Sequence, residues 1–373
     1  MKDKFISIIV PVKNAERTIE KHLESILKLD YPKDKLEVIY VDGGSKDKTL
    51  EILYKWQKEK IPQIIIIELK NCKSPGEARN KALEIVKGDF ILFTDADCIV
   101  KEDWATQIIS PFFQDDKIGI VGGEIHTLTV NDGNDIEKYL EFIRFLSVNG
   151  RCGVKEEGYF PDLKTFLPHE VNGNIHSSFF ATANVAVRRE ALLSVGNKFW
   201  DEITGEDVDF NIRINKNGFK LYYKPSAIVS HIHRANLQQF RKQVYGYGYG
   251  HPLLIKKHAK QVLEICINLF GKYIYIPIPF FIKGNIYLGN FHFLNIFFLL
   301  TILSIVFRWK TTLLFLSLTL LFAIIYFSPL IKLKPTKKFL KWCKIKYLSN
   351  LSFIMGGIKG SFVFGAIDIE DSF

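Results

Sequence analysis

Short runs of Ile, Val, Leu and Phe alternate with amphipathic stretches through the first hundred residues. Phe5 to Val10, Leu36 to Val41, Ile64 to Glu68 and Phe90 to Thr94 are near-continuous apolar runs, and Ala15 to Leu29, Lys46 to Lys60 and Gly76 to Lys87 between them carry helical spacing. That order predicts βαβα units and a parallel sheet covered on both faces. Ligands of such sheets bind beyond the carboxyl ends of the strands. Here those ends are polar: Lys13 and Asn14, Asp42 to Ser45, then Asp95 and Asp97. The first run is short and is closed by Pro11 and Asn14 without a small-residue cleavage site, so it reads as a strand and not as a signal peptide. The expected fold class is α/β with a mixed, mainly parallel central sheet.

From Asn131 to Asn174 Gly, Pro and charged residues mix with aromatics, as in loops that shape an acceptor site. Periodicity returns from Ala181 to Ile228, with a helix expected at Asp207 to Asn217 and an extended Lys220 to Ile228. After Gly250 the character changes. Leu288 to Phe307 and Thr311 to Ile331 contain no Asp, Glu, Lys or Arg, and each is about long enough to cross a hydrocarbon core. They predict a transmembrane hairpin joined by Arg308, Trp309 and Lys310. Val262 to Ile282 is interrupted by Glu264, Lys272, Pro277 and Pro279 and reads as interfacial or re-entrant. The tail from Tyr347 to Ile367, with its Leu348, Leu351, Met355 and Ile358 stripe, also suits an interface. The expected organisation is a catalytic domain over 1–235, a membrane-interface linker over 236–287, the hairpin over 288–331, and a basic segment with an amphipathic tail over 332–373.

The formal charge of +10 is compatible with nucleic acid, an anionic membrane or anionic small molecules, and placement separates these. Lysines gather at Lys256, Lys257 and Lys260 and again from Lys332 to Lys346, flanking the most apolar part of the chain. That favours a multi-pass membrane protein with its catalytic domain in the cytoplasm. No base-reading motif appears, so nucleic acid is not an expected partner. The five cysteines are scattered, with no C-x-x-C pair, which suits a reducing compartment.

Three acidic constellations carry the chemistry. Val41-Asp42-Gly43-Gly44-Ser45-Lys46-Asp47-Lys48-Thr49 is a tight turn with Ser45 expected to cap the next helix, yet it also aims the Asp42 carboxylate at the place of a nucleotide's base or ribose donors. Asp95-Ala96-Asp97 ends a central strand. Its two carboxylates suit a hard divalent cation bridging the phosphates of a nucleoside diphosphate, so Mg²⁺ or Mn²⁺ is implied rather than Zn²⁺. Thr204-Gly205-Glu206-Asp207-Val208-Asp209-Phe210 opens a helix, where acidic residues complement the dipole. Asp207, with Glu206 as helper or alternative, is also placed to take a proton from an acceptor hydroxyl.

These blocks occur in order with Ser7-Ile8-Ile9-Val10-Pro11-Val12-Lys13-Asn14, Gly76-Glu77-Ala78-Arg79-Asn80 and Asn184-Val185-Ala186-Val187-Arg188-Arg189. Over roughly residues 5 to 250 the chain resembles glycosyltransferase family 2, with its GT-A fold, and most of all its membrane-attached members that build exopolysaccharide or lipid-linked glycans. The resemblance implies inverting, metal-dependent transfer from a UDP- or GDP-sugar to a hydroxyl or phosphate of a membrane-associated, polyprenyl- or dolichyl-linked or glycan acceptor. It assigns Asp42 to the nucleoside, Asp95 and Asp97 to the diphosphate and metal, and Asp207 to the catalytic base. Pro11, Asn14 and Arg79 match positions near the nucleotide, and His231 matches a histidine near the metal or diphosphate. His233 and Arg234 are neighbours within reach of phosphates.

Processive synthases of this family carry Q-x-x-R-W. Gln238-Gln239-Phe240-Arg241-Lys242 keeps the Gln and the Arg, which leaves Arg241 a candidate nucleotide-sugar contact, but places Lys242 where those enzymes have the stacking Trp. Addition of one or a few sugars is therefore expected. A basic amphipathic helix against headgroups is the rival reading of this motif, and Tyr245-Gly246-Tyr247-Gly248-Tyr249-Gly250 reads as a flexible interfacial junction. A catalytically inactive, membrane-tethered nucleotide-sugar or glycan-binding protein is the alternative to an enzyme, and the intact Asp95, Asp97 and Asp207 argue against it.

Overall fold

The computed structural model describes residues 2–58, 62–160, 169–171, 174–176, 179–202, 204–259, 262–279, 282–306, 309–331 and 337–371. Two compact units divide the chain, Met1–Asp132 with Leu140–His233, and Gly133–Tyr139 with Arg234–Phe373.

The first unit follows the expected alternation: β1 (Ile6–Val12), α1 (Ile19–Leu27), β2 (Leu36–Asp42), α2 (Thr49–Gln57), β3 (Gln63–Glu68), α3 (Pro75–Leu83) and β4 (Phe90–Thr94). It continues through β5 (Cys98–Val100), α4 (Trp104–Ile109), β6 (Ile118–Thr127), α5 (Asp135–Phe142, which straddles the unit boundary), α6 (Val148–Cys152), β7 (Gly158–Tyr159), β8 (His169–Val171), β9 (Asn174–His176), β10 (Asn184–Arg188), α7 (Arg189–Ser194), α8 (Glu206–Lys216) and β11 (Lys220–His231). The central sheet runs β3-β2-β1-β4-β10-β6-β11-β5. β1 to β4 are mutually parallel, β10 is antiparallel to both of its neighbours, and β6 and β11 are parallel. The alternation predicts the parallel β1 to β4, and the antiparallel β10 makes the sheet mixed, as the family resemblance implies.

Burial explains the composition of the strands. β2 and β4 are buried along their whole length, so both faces need apolar side chains. Pro11 is tolerated in the middle of this sheet because β1 pairs with β4 only as far as Ile9–Phe93, and past that point no donor toward β4 is needed, although the pairing with β2 continues. α3 begins with a Ser74 cap, whose hydroxyl accepts the Glu77 N–H, and with Pro75 in the first turn, where its missing N–H costs nothing.

The second unit holds α9 (Leu237–His258), β12 (Leu263–Leu269), β13 (Lys272–Ile278), β14 (Gly284–Leu288), α10 (Asn290–Ser304), α11 (Trp309–Ile331), α12 (Lys337–Phe364) and β15 (Ile367–Ile369). Several expectations change here. The Tyr-Gly repeat is not a flexible junction; it lies inside α9. A Cβ on Gly356 or Gly360 of α12 would stand 2.2 Å from the Tyr245 carbonyl oxygen or 2.3 Å from that of Tyr249, so α9 and α12 pack at a distance only small residues permit. The interrupted apolar stretch forms the β12–β13 hairpin of a sheet ordered β13-β12-β14-β15. That hairpin leaves Ile274, Tyr275 and Ile276 exposed.

The expected transmembrane hairpin is also revised. Among the described residues, one helix, Trp309–Ile331, is long and apolar enough to cross a membrane. α10 has 15 residues and rises about 22 Å, short of the ~30 Å hydrocarbon core. Arg308 of the expected linker, and Lys260, Lys332 and Lys334 of the basic clusters, lie outside the described residues.

Candidate active site

The site is assembled at the carboxyl ends of β1, β2 and β4. At the end of β1, Asn14 takes a positive φ of 52°. Its N–H donates to Ser45 Oγ at 2.8 Å and its Oδ1 accepts from the Lys46 N–H at 2.9 Å, so the loops after β1 and β2 are pinned together. Ser45 is thereby used in this link and does not cap α2. Asp47 Oδ1 accepts from the Thr49 N–H and hydroxyl instead. Pro11 stands half-buried in the same strand.

Asp42 is 1% exposed. Its Oδ2 accepts from the N–H groups of Gly44 and Ser45, each at 2.9 Å, while its buried Oδ1 has no hydrogen-bond partner. The structural and ligand-binding readings of this block thus divide between two oxygens of one carboxylate. One shapes the turn, and the other is an acceptor waiting for a donor.

Arg79 joins the second and third acidic blocks. This fully buried side chain of α3 donates from Nη2 to Asp95 Oδ1 at 3.0 Å and from Nη1 to Glu206 Oε1 at 2.9 Å. The approach of α3 to α8 requires Gly76, where a Cβ would stand 2.8 Å from the Trp200 carbonyl oxygen and 3.2 Å from Glu206 Cβ. Asn80 completes the junction by exchanging two hydrogen bonds with the Phe199 backbone. Gly205, with φ of 78°, supplies the left-handed residue that turns the chain into α8.

At the start of α8, Glu206 is held by Arg79 and is buried, whereas Asp207 is half-buried. The Asp207 carboxyl is pushed up to about 7 by burial and then by the Glu206 charge, with Arg79 and Arg151 pulling the other way. Its Oδ1 accepts from the Val208 N–H at 2.8 Å. Asp209 is fully buried and paired with Arg213 at 2.7 Å, and Arg213 also donates to the Val195 and Lys198 carbonyls. Through Arg213 it ties α8 to the Val195 and Lys198 backbone. Arg151 was not anticipated. It stacks over Phe179 at 4.1 Å and lies in the weakly patterned stretch, where no motif marked it.

Burial also pushes the Asp95 carboxyl upward, Arg79 opposes this, and the neighbouring Asp97 adds to it. Asp97 Oδ1 is 3.4 Å from His231 Nε2, because β11 pairs antiparallel with β5 and sets His231 opposite Cys98. One ligand atom each from Asp97, Cys98 and His231 fall within 4.8 Å of one another. Burial drives the Cys98 thiol well above its ordinary range, which keeps it protonated and a poor ligand. The donors that remain in this group, the Asp97 carboxylate and the His231 imidazole, suit Mn²⁺ or Mg²⁺. His231 Nδ1 is buried without a hydrogen-bond partner. The ring itself stacks on that of His233 at 4.4 Å, and His233 bonds Thr127 through Nε2.

Arg234 and Arg241 belong to the second unit. Arg234 is exposed, and Arg241 Nε donates to Ser352 Oγ of α12 at 2.9 Å. Of the expected acceptor loop, residues 161–168 and 172–173 lie outside the described residues.

Residues 7–192 match the family model described as glycosyl transferase family 2. The chain is 29% identical over 263 residues to the dolichyl N-acetyl-alpha-D-glucosaminyl phosphate 3-beta-D-2,3-diacetamido-2,3-dideoxy-beta-D-glucuronosyltransferase of Methanococcus voltae, covering 69% of this chain and 76% of that protein. It is 28% identical over 242 residues to glycosyltransferase AglE of Haloferax volcanii, covering 64% and 70%. Among solved structures it resembles the mannosyltransferase PcManGT from Pyrobaculum calidifontis in complex with GDP-Man and Mn²⁺, at 20% identity and a TM-score of 0.48, covering 67% of this chain and 64% of that one.

Proposed function

The chain belongs to glycosyl transferase family 2 through residues 7–192, and from that membership we propose an inverting, metal-assisted transfer of one sugar from a UDP- or GDP-sugar to a lipid-linked acceptor. The observation that carries this reading is the Arg79 bridge between Asp95 and Glu206. It joins Asp95, proposed for the diphosphate end, to Glu206, the neighbour of the proposed base Asp207, through one guanidinium.

Asp42 accepts from the nucleobase or ribose through its unpartnered Oδ1. Pro11 and Asn14 line the same end, and the Arg79 guanidinium opposes the upward push of burial on the Asp95 carboxyl. Asp97 and His231, with Asp95 alongside, would hold a divalent cation, which would supply positive charge against the diphosphate leaving group. Asp207 accepts the proton of the acceptor hydroxyl as its oxygen bonds to the anomeric carbon. The bond from that carbon to the phosphate oxygen breaks, and its electron pair leaves with the diphosphate. Attack from the face opposite the leaving group inverts the configuration. Glu206 acts through Asp207, since its own carboxylate is held by Arg79 and its charge adds to burial in raising the Asp207 carboxyl to about 7.

A polyprenyl or dolichyl phosphate acceptor, or a glycan on such a lipid, is supported by the dolichyl-linked relative and by the apolar helix Trp309–Ile331. Arg234 and Arg241 are proposed to add positive charge for the donor or for lipid phosphate. Lys242, where processive relatives stack a Trp, supports release after one or few additions. The test uses the purified full chain in detergent with Mn²⁺, a panel of UDP- and GDP-sugars, and dolichyl or polyprenyl phosphate or its glycosylated forms. A new glycolipid by mass spectrometry, with inverted anomeric configuration by NMR, is expected. Retention of configuration, or neither transfer nor hydrolysis from any donor, overturns the reading.

A further inference from the structure

A second group of metal-type ligands lies within the second unit and shares no residue with the catalytic assembly. His251 precedes Pro252 near the end of α9, Asp368 is in β15, and Glu370 follows that strand. His251 Nδ1 is 2.5 Å from Glu370 Oε1 and 3.8 Å from Asp368 Oδ2. One ligand atom from each residue falls within 4.8 Å of the others. Asp368 is 1% exposed, and neither of its carboxylate oxygens has a hydrogen-bond partner. A buried carboxylate with both oxygens unsatisfied is costly unless a cation meets it.

The surroundings orient these donors. Asn285 Nδ2 donates to Glu370 Oε2 at 2.9 Å, which leaves Oε1 turned to His251. The Phe353 ring meets the His251 ring edge-on at 5.0 Å. Ser361 Oγ accepts the Asp368 N–H at 2.9 Å, and β15 sets Asp368 opposite Asn285 of β14. Groups that hold ligands in this way are the outer shell typical of metal centres.

We propose that His251, Asp368 and Glu370 bind a divalent transition-metal ion of the Zn²⁺ or Mn²⁺ class. One imidazole with two carboxylates suits these ions better than Ca²⁺, which favours all-oxygen sites, or Cu(I), which favours sulfur. Three protein ligands leave positions for water. The ion ties β15 to α9, adding to the three ladder pairs from Ile367 to Ile369 that join β15 to β14.

The test measures metal content and not activity, so it stands or falls independently of the donor chemistry. The full chain carrying Asp97→Ala, which removes a proposed catalytic ligand, is stripped with EDTA, loaded with Zn²⁺ or Mn²⁺ and desalted, and the retained metal is counted by mass spectrometry. About one equivalent per chain is expected. Asp368→Asn or Glu370→Gln added to that background abolishes it, and Asn285→Ala weakens affinity by about ten- to a hundredfold. Hydrogen exchange over residues 365–371 rises when the ion is removed from Asp97→Ala and is unaffected by EDTA in the double variants. Retention of no metal by Asp97→Ala overturns the proposal and leaves the cluster a proton-mediated His–carboxylate group. Equal retention in the Asp368 and Glu370 variants overturns it as well.

Discussion

Asp95 and Glu206 share one guanidinium: Arg79 reaches the first at 3.0 Å and the second at 2.9 Å. The strand that ends in the D-x-D block and the helix that opens with the G-E-D block are therefore coupled through a side chain of α3. A bidentate, planar cation makes this bridge, and a lysine's point charge does not.

Arg79→Met leaves Glu206 and Asp95 without their buried cation. A loss of about 3 kcal/mol is expected, below the top of the range for breaking a buried pair because Asp95 is partly open to solvent. Urea denaturation measures it. Turnover falls by about a hundredfold or more, since the base shifts relative to the donor. Arg79→Lys recovers part of the stability but little of the rate.

Asp207→Asn lowers kcat by about 10² to 10⁴ with donor affinity unchanged. In the wild-type protein kcat rises with pH through about 7, where the carboxyl loses its proton. Stability moves the other way. The folded-state value is raised from 3.8 to about 7, so the folded form holds this proton more tightly than the unfolded chain does. The resulting stabilisation is complete below about pH 4 and is lost as pH rises through about 7. Asp207→Asn is therefore expected to raise Tm relative to wild type at pH 8 and to leave it nearly unchanged at pH 3.5. A difference of the same sign and size at both pH values contradicts the assignment.

For Asp97→Ala and His231→Ala, the thermal shift produced by UDP or GDP should no longer depend on Mn²⁺. In the wild type, a nucleotide at a hundred times its Kd stabilises by about 2.7 kcal/mol, and EDTA should remove most of that gain. A full metal-dependent shift in both variants would place the cation elsewhere.

Two glycines of the Tyr-Gly and Gly-x-x-x-Gly regions should respond with opposite signs. Gly360→Ala puts a methyl 2.3 Å from the Tyr249 carbonyl oxygen and is expected to cost about 1–3 kcal/mol by overpacking. A Cβ on Gly246 of α9 meets nothing within 4 Å. Gly246→Ala should stabilise by about 0.5–1 kcal/mol through helix propensity alone. Equal effects in thermal unfolding would mean that α9 and α12 are not in backbone contact.

What the sequence settled is local in origin. Strands β1 to β4 and helix α8 were legible because burial on two faces imposes continuous apolar runs and an amphipathic helix imposes its own period. Asp42, Asp95, Asp97 and Asp207 were legible because each terminates or opens such an element. α10 ends at Ser304, short of the apolar run that predicted it, since such a run records transfer energy and not where a helix ends. The hairpin of β12 and β13 was not resolved from an apolar stretch broken by Pro277 and Pro279, because short runs of this kind suit either structure.

Only the tertiary structure decided which of these groups meet. No local pattern records that Arg79 spans Asp95 and Glu206, that Arg151 lies near enough to pull on Asp207, or that one Asp42 oxygen shapes a turn while the other remains available. Nor does one record that His251 faces Asp368 and Glu370. Periodicity reports the environment of each face of an element, whereas an ion pair between residues far apart in the chain depends on how elements cross, and that is set by the packing of the whole core.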